Sequence, residues 1–125
     1  MTKKQRVFKS GANRNSAEGK LEYFGFNNPL VDLSFAKYMH HHRHLEDGTM
    51  RDSDNWQKGF PSRVIIESLS RHIQDVKLIY AGYKVIENNK EVTLEEAING
   101  AKFNLNALML DLLKDTKEIK RNDEK

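Results

Sequence analysis

Ser62-Arg63-Val64-Ile65-Ile66-Glu67-Ser68-Leu69-Ser70-Arg71-His72-Ile73-Gln74-Asp75-Val76-Lys77-Leu78-Ile79-Tyr80-Ala81 reads as one amphipathic helix, and it decides the fold class. Ile65, Ile66, Leu69, Ile73, Val76 and Tyr80 recur with the three-to-four-residue period of an α-helix. Ser62 is placed to cap it and Gly82 to end it. Away from that stripe, Glu67, Arg71 and Asp75 stand at i, i+4 and i+8 and share a ridge spread over roughly 80°. His72 lies where the two faces meet. Two carboxylates flanking a guanidinium, with an imidazole beside them, suit a divalent cation or a phosphate. The same row also reads as a solvated face stitched by i,i+4 ion pairs, and spacing alone favours that reading.

Upstream, the polar loop Arg51–Gly59 holds the single tryptophan, Trp56, together with Asn55 and Lys58. Before it, Asn28-Pro29 supplies an N-cap and a first-turn proline for a helix over about Leu30–His44, whose apolar residues wrap more than one face. Downstream, Val85-Ile86 and Val92 flank Asn88-Asn89, a pair suited to the positive φ angles of a two-residue hairpin turn. Thr93-x-x-Glu96 is a capping box. It opens the longest helix, Leu94 to about Lys117. Leu94, Ile98, Ala101, Leu105, Leu108, Met109 and Leu112 form its main stripe, and Phe103 and Leu110 stand nearly opposite. A helix apolar on two sides is central to a bundle or shared with a second subunit. The expectation is a mainly α protein: a helical bundle of three main helices, a small β-hairpin between the last two, and a homo-oligomeric state.

Residues 1–20 carry a net +5, residues 114–125 a net +1, and residues 21–113 a net −3. The basicity therefore belongs to an irregular N-terminal arm, 1–19, and not to the single helical domain expected over 20–117. Residues 118–125 read as a frayed charged tail. A nucleic-acid-binding domain carries its positive charge on the folded surface, so specific nucleic-acid binding is not expected. No apolar run approaches the roughly 18 residues of a membrane span, and none follows the start as a secretory signal would. With no cysteine, disulfides and thiolate metal sites are excluded, and a cytoplasmic location is the expectation.

Other constellations are weaker. His40 and His44, four apart in His40-His41-His42-Arg43-His44, have a spacing able to hold one metal. A histidine-rich helix end also suits the helix macrodipole, and phosphate contact is a third option. A calcium loop starting at Asp52 would need glycine at its sixth position and glutamate at its twelfth, where the chain has Gln57 and Arg63. There is no G-x-S-x-G and no glycine-rich phosphate loop. Carboxylates, histidine and arginine remain, and these suit phosphate binding or metal-assisted hydrolysis.

Ala36-Lys37-Tyr38, Asn55-Trp56-x-x-Gly59, Glu67-x3-Arg71-His72, Glu95-Glu96-Ala97 and Phe103-Asn104 resemble, in order and rough spacing, the phage-associated dATP/dGTP diphosphohydrolase domain family. That family is similar in turn to the MazG-like all-α nucleotide pyrophosphohydrolases. The resemblance covers about residues 19–113. It implies an oligomeric helical bundle, cytoplasmic in the phage's host, that uses Mg²⁺ to hydrolyse a purine (deoxy)nucleoside triphosphate to monophosphate and pyrophosphate. Carried over, it makes Glu67, His72 and Asp75 candidate catalytic residues. Glu67, Asp75, Glu95 and Glu96 become metal ligands, and Arg71, Asn55, Trp56, Lys58 and Asn104 shape the substrate pocket. The chain departs from MazG-like enzymes in having no Glu-x-x-Glu or Glu-x-x-Asp pair. This gives the alternative of a non-catalytic nucleotide-binding protein of the same fold, and a partner-binding helical module is the third reading.

Overall fold

The computed structural model describes residues 4–121. In chain order they form β1 (Gln5–Val7), β2 (Asn13–Asn15), α1 (Pro29–His42), a 3-10 turn (Asn55–Lys58), α2 (Ser62–Tyr80), β3 (Val85–Glu87), β4 (Lys90–Val92) and α3 (Leu94–Leu113). The architecture is mainly helical, with three helices and the expected hairpin between the last two. No helix among the described residues is long and apolar enough to cross a membrane.

The chain divides into two units. In the first, β1 and β2 pair antiparallel, Gln5 with Asn15 and Val7 with Asn13. Gly11 at φ +89° closes the reversal, where the Phe8 N–H donates to the Ala12 carbonyl at 2.9 Å. The ribbon lies in the segment that sequence reading treats as an irregular arm. Its alternation is too short and too polar to register as strands. Residues 1–3 of that arm and 122–125 of the charged tail lie outside the described residues.

The second unit, Asn27–Thr116, holds the helices. Asn28 caps α1 as expected, its side chain accepting from the Leu30 and Val31 N–H groups. α1 ends at His42, two residues before the expected end. Ser62 does not cap α2. Pro61 holds that position without a side-chain bond, and the Ser62 hydroxyl instead donates to Asp111 across the bundle at 2.9 Å. At the other end Gly82, at φ +97°, completes a Schellman motif. Its N–H donates to the Ile79 carbonyl and that of Tyr83 to Leu78, both at 3.0 Å, so two orphan carbonyls of α2 are satisfied. Asn88 and Asn89, at φ 50° and 63°, turn β3 into β4. Thr93 accepts from the Glu96 N–H at 3.1 Å to start α3. α3 stops at Leu113, short of the expected Lys117.

α2 and α3 run antiparallel. Ser62 meets Asp111, Ser68 meets Asn104 and His72 lies over Gly100, so one residue number falls as the other rises. The core lies in this seam. Its buried apolar residues are Ile65 of α2 and Ala97, Ala101 and Ala107 of α3. This corrects the sequence-level choice of core face. Of the main stripe of α3, only Ala101 is buried and Leu108 half-buried; Leu94, Ile98, Leu105, Met109 and Leu112 are exposed. The small side chains face α2 because they let the helices approach closely, and that turns the large apolar residues sideways. α1 buries no residue fully and reaches α3 through Ser34, Phe35 and Tyr38, which are half-buried.

Candidate functional site

A cavity of about 430 Å³ opens where the end of α1 and the loop after it meet α2 and α3. Its floor is Ser68 and His72 of α2 with Phe103 and Asn104 of α3. Asn104 is buried, and its amide donates to the Gly100 carbonyl at 2.8 Å and to the Ser68 hydroxyl at 3.2 Å. One side chain thus ties the two helices together under the cavity, and its donors do not go unpaired. Beside it the His72 ring rests on bare backbone: a Cβ on Gly100 would stand 2.5 Å from its Cε1 and Nδ1 atoms.

One wall is aromatic. The Trp56 and Phe60 rings stand edge-on to Phe103, at centroid distances of 6.3 and 6.4 Å, in the tilted geometry that ring quadrupoles favour. The 3-10 turn Asn55–Lys58 brings Asn55 and Trp56 to this wall, and Gly59 at φ +98° redirects the chain so that Phe60 joins it.

Two cations and one carboxylate, Arg43, Arg51 and Asp52, also line the cavity. An isolated bridge pairs His44 with Met50, folding the loop back so that Arg51 lies beside the end of α1. The Arg43 Nε then donates to the Arg51 carbonyl at 2.8 Å, and the Arg51 Nη1 to the His42 carbonyl at 3.1 Å. Each guanidinium is held by backbone, and among the described residues neither forms an ion pair. Both line the cavity, with His42 and Tyr38 alongside. Partial burial pushes the His42 imidazole below its ordinary value, helped by His41, His72 and Arg51 and opposed by Glu96. Burial also lowers His72; Asp75 and Glu87 oppose it and Arg71 reinforces it. Burial, then Glu96, raises the Tyr38 hydroxyl. Both shifts favour the neutral imidazole, so the cavity's positive charge rests chiefly with the arginines.

Of the sequence-level candidates, Asn55, Trp56, His72 and Asn104 meet in this cavity. Glu67, Arg71 and Asp75 are not among its lining residues. Glu67 accepts from Arg63 at 2.8 Å on an exposed surface, and among the described residues Arg71 forms an ion pair with neither Glu67 nor Asp75. Arg71 is exposed and Asp75 half-buried. Lys58 lines a smaller recess of about 160 Å³ with Asp111 and Lys114. Glu95 and Glu96 border a neighbouring cavity of about 580 Å³, where Glu95 accepts from the Ser34 hydroxyl at 2.5 Å and buried Asn99 donates to Ser34 at 2.9 Å. Among the described residues, no three His, Asp or Glu side chains converge to hold a metal ion. The four carboxylates that the resemblance assigns to Mg²⁺ form no such group: Glu95 and Glu96 share one cavity that neither Glu67 nor Asp75 lines, whereas one ion needs oxygens gathered within about 2.1 Å.

Arg43, Arg51, His42 and Tyr38 are the residues that sequence reading did not assign to the site. The available signal was Arg43 beside the histidine run and Arg51 at the head of the polar loop; the bridge that unites them leaves no local trace. Comparison of the chain with family profiles, with curated proteins and with solved structures finds no match.

Proposed function

We propose that the cavity binds a purine (deoxy)nucleoside triphosphate, its phosphates against Arg43 and Arg51 and its base against Trp56, Phe60 and Phe103. One observation carries this reading: two guanidinium groups, each held by a backbone carbonyl and in no ion pair among the described residues, share a cavity of about 430 Å³ with an aromatic cluster, and Asp52 is the carboxylate in its lining. Guanidinium forks suit phosphate oxygens, aromatic faces suit a base, and the volume falls within the roughly 300–1,000 Å³ of small-molecule clefts. The binding is non-catalytic, because the acidic residues that would gather a metal are dispersed.

Thermal-shift and calorimetric titration with dATP, dGTP, ATP and GTP, without added metal, tests this directly. A ligand at 100 times its dissociation constant stabilises by about 2.7 kcal/mol, a rise of roughly 10 °C in Tm for a domain of this size. Arg51→Ala should weaken binding at least about tenfold, the lower end of a lost charged hydrogen bond. No shift with any of the four nucleotides at millimolar concentration would end the proposal.

The ordered motif set supports a second reading, Mg²⁺-dependent pyrophosphohydrolysis. It keeps His72 in the cavity and requires Glu67 and Asp75 to act from outside it. Pyrophosphate release that depends on Mg²⁺ and is lost in Glu67→Ala would favour that reading over simple binding.

A further inference from the structure

We infer that two copies of this chain pair back to back through the apolar face of α2 and α3, on the side of the helix pair away from the cavity. On α3 the alanines face inward while Ile98, Leu105, Met109 and Leu112 are 49, 51, 55 and 75% exposed. On α2, Ile66 and Ile73 are 48 and 43% exposed. The antiparallel register brings Ile66 level with Leu105 and Ile73 level with Ile98. In each helix these residues lie roughly 100° around the axis from the side turned to its neighbour. Because the helices run in opposite directions, equal rotations bring both stripes to the same side, where they merge into one surface. Phe103 and Leu105, two residues apart on α3, point roughly 160° apart, so this surface is the reverse of the cavity.

The occupant follows from spacing and area. Ile66, Ile73 and Tyr80 stand seven apart on α2, and Ile98, Leu105, Met109 and Leu112 follow at seven, four and three on α3, the heptad-like spacing that seats knobs into the holes of another helix. The chain itself supplies that partner: 19- and 20-residue helices of matched length, with one lysine, Lys77, between Ile73 and Tyr80, whose long stem lets its charge reach the rim. Two such pairs form a four-helix bundle. With Tyr80 and Leu94 at the ends, about half of eight large side chains at roughly 150–200 Å² each gives ~700 Å² per protomer. That exceeds the largest apolar patch of a typical monomer, ~300–600 Å². Doubled to ~1,400 Å², it lies within the range of stable interfaces, ~1,200–2,000 Å².

Sedimentation velocity on the full chain from about 1 to 100 µM, without nucleotide, tests the pairing independently of the cavity. The expected species has twice the 14.5 kDa chain mass. Leu105→Lys and Ile73→Lys, at positions already exposed in one protomer, should each raise the dissociation constant at least about 30-fold with helicity unchanged. A Leu105→Cys variant adds the only thiol to a cysteine-free chain and gives a readout that does not depend on the charged variants folding. Its alkylation should slow as protein concentration rises. Wild-type protein that stays monomeric at 100 µM overturns the inference and leaves the face to a different chain. So does a dimer that the folded lysine variants leave intact, or alkylation that ignores concentration.

Discussion

His42 and His72 face one cavity from different helices, and both are held neutral at values below the ordinary 6.5, first of all by burial. In the unfolded chain each titrates near 6.5, so between that pH and the lower folded values the unfolded state binds more protons. Their contribution to stability is complete above pH 6.5 and is lost as pH falls through the folded values. The free protein should therefore lose Tm between pH 7.5 and 5.5 more steeply than a His72→Gln variant, as read in thermal melts of both. A bound triphosphate reverses the local field and favours imidazolium, so binding should take up protons. Calorimetry in two buffers of different ionisation enthalpy reads that uptake. Equal binding heats in both would separate the histidines from the phosphate position.

At the scale of elements, Gly100 is the residue on which the α2–α3 seam turns. Glycine inside a helix costs about 1 kcal/mol relative to alanine, so propensity alone makes Gly100→Ala stabilising. The His72 ring reverses that expectation. A methyl group would stand 2.5 Å from two ring atoms and 2.8 Å from Cγ, too near the root of the side chain to be relieved by a small rotation. Gly100→Ala should cost about 1–3 kcal/mol in urea unfolding, and combining it with His72→Ala should recover most of that loss. Sequence reading did not single out Gly100, because its partner lies on another helix. The same division runs through the molecule. Asn28-Pro29, Gly82, Asn88-Asn89 and Thr93-x-x-Glu96 act on their own neighbours, and each ends or begins an element where the sequence placed it. The Glu67–Arg71–Asp75 ridge drew attention by spacing, yet spacing does not say which side of a helix another element will cover. Arg43 and Arg51 reach the cavity through a bridge between His44 and Met50, a tertiary event without local sequence preference. For α3, periodicity found the most apolar side, whereas close packing selected the side with the smallest residues.

For the whole molecule, the helix pair has two distinct sides, one concave with aromatic and charged lining, the other apolar and exposed, with a thin seam of small residues between them. Among the described residues the fully buried apolar side chains are Ile65 and three alanines, with Leu69, Val76, Phe103 and Leu108 half-buried. Alanine burial contributes little hydrophobic free energy, while the backbone of every ordered residue loses about 1–2 kcal/mol of conformational entropy. Burying the leucines and isoleucines on the outside of the helix pair would add to that hydrophobic driving force. With the pairing inferred above, acquiring structure and acquiring a companion would become one bimolecular equilibrium, whose midpoint depends on how much protein is in the tube. A hundredfold dilution should lower the melting temperature by several degrees, and refolding should follow second-order kinetics. Melting curves that superimpose at every dilution would mean that the protomer reaches its native state alone.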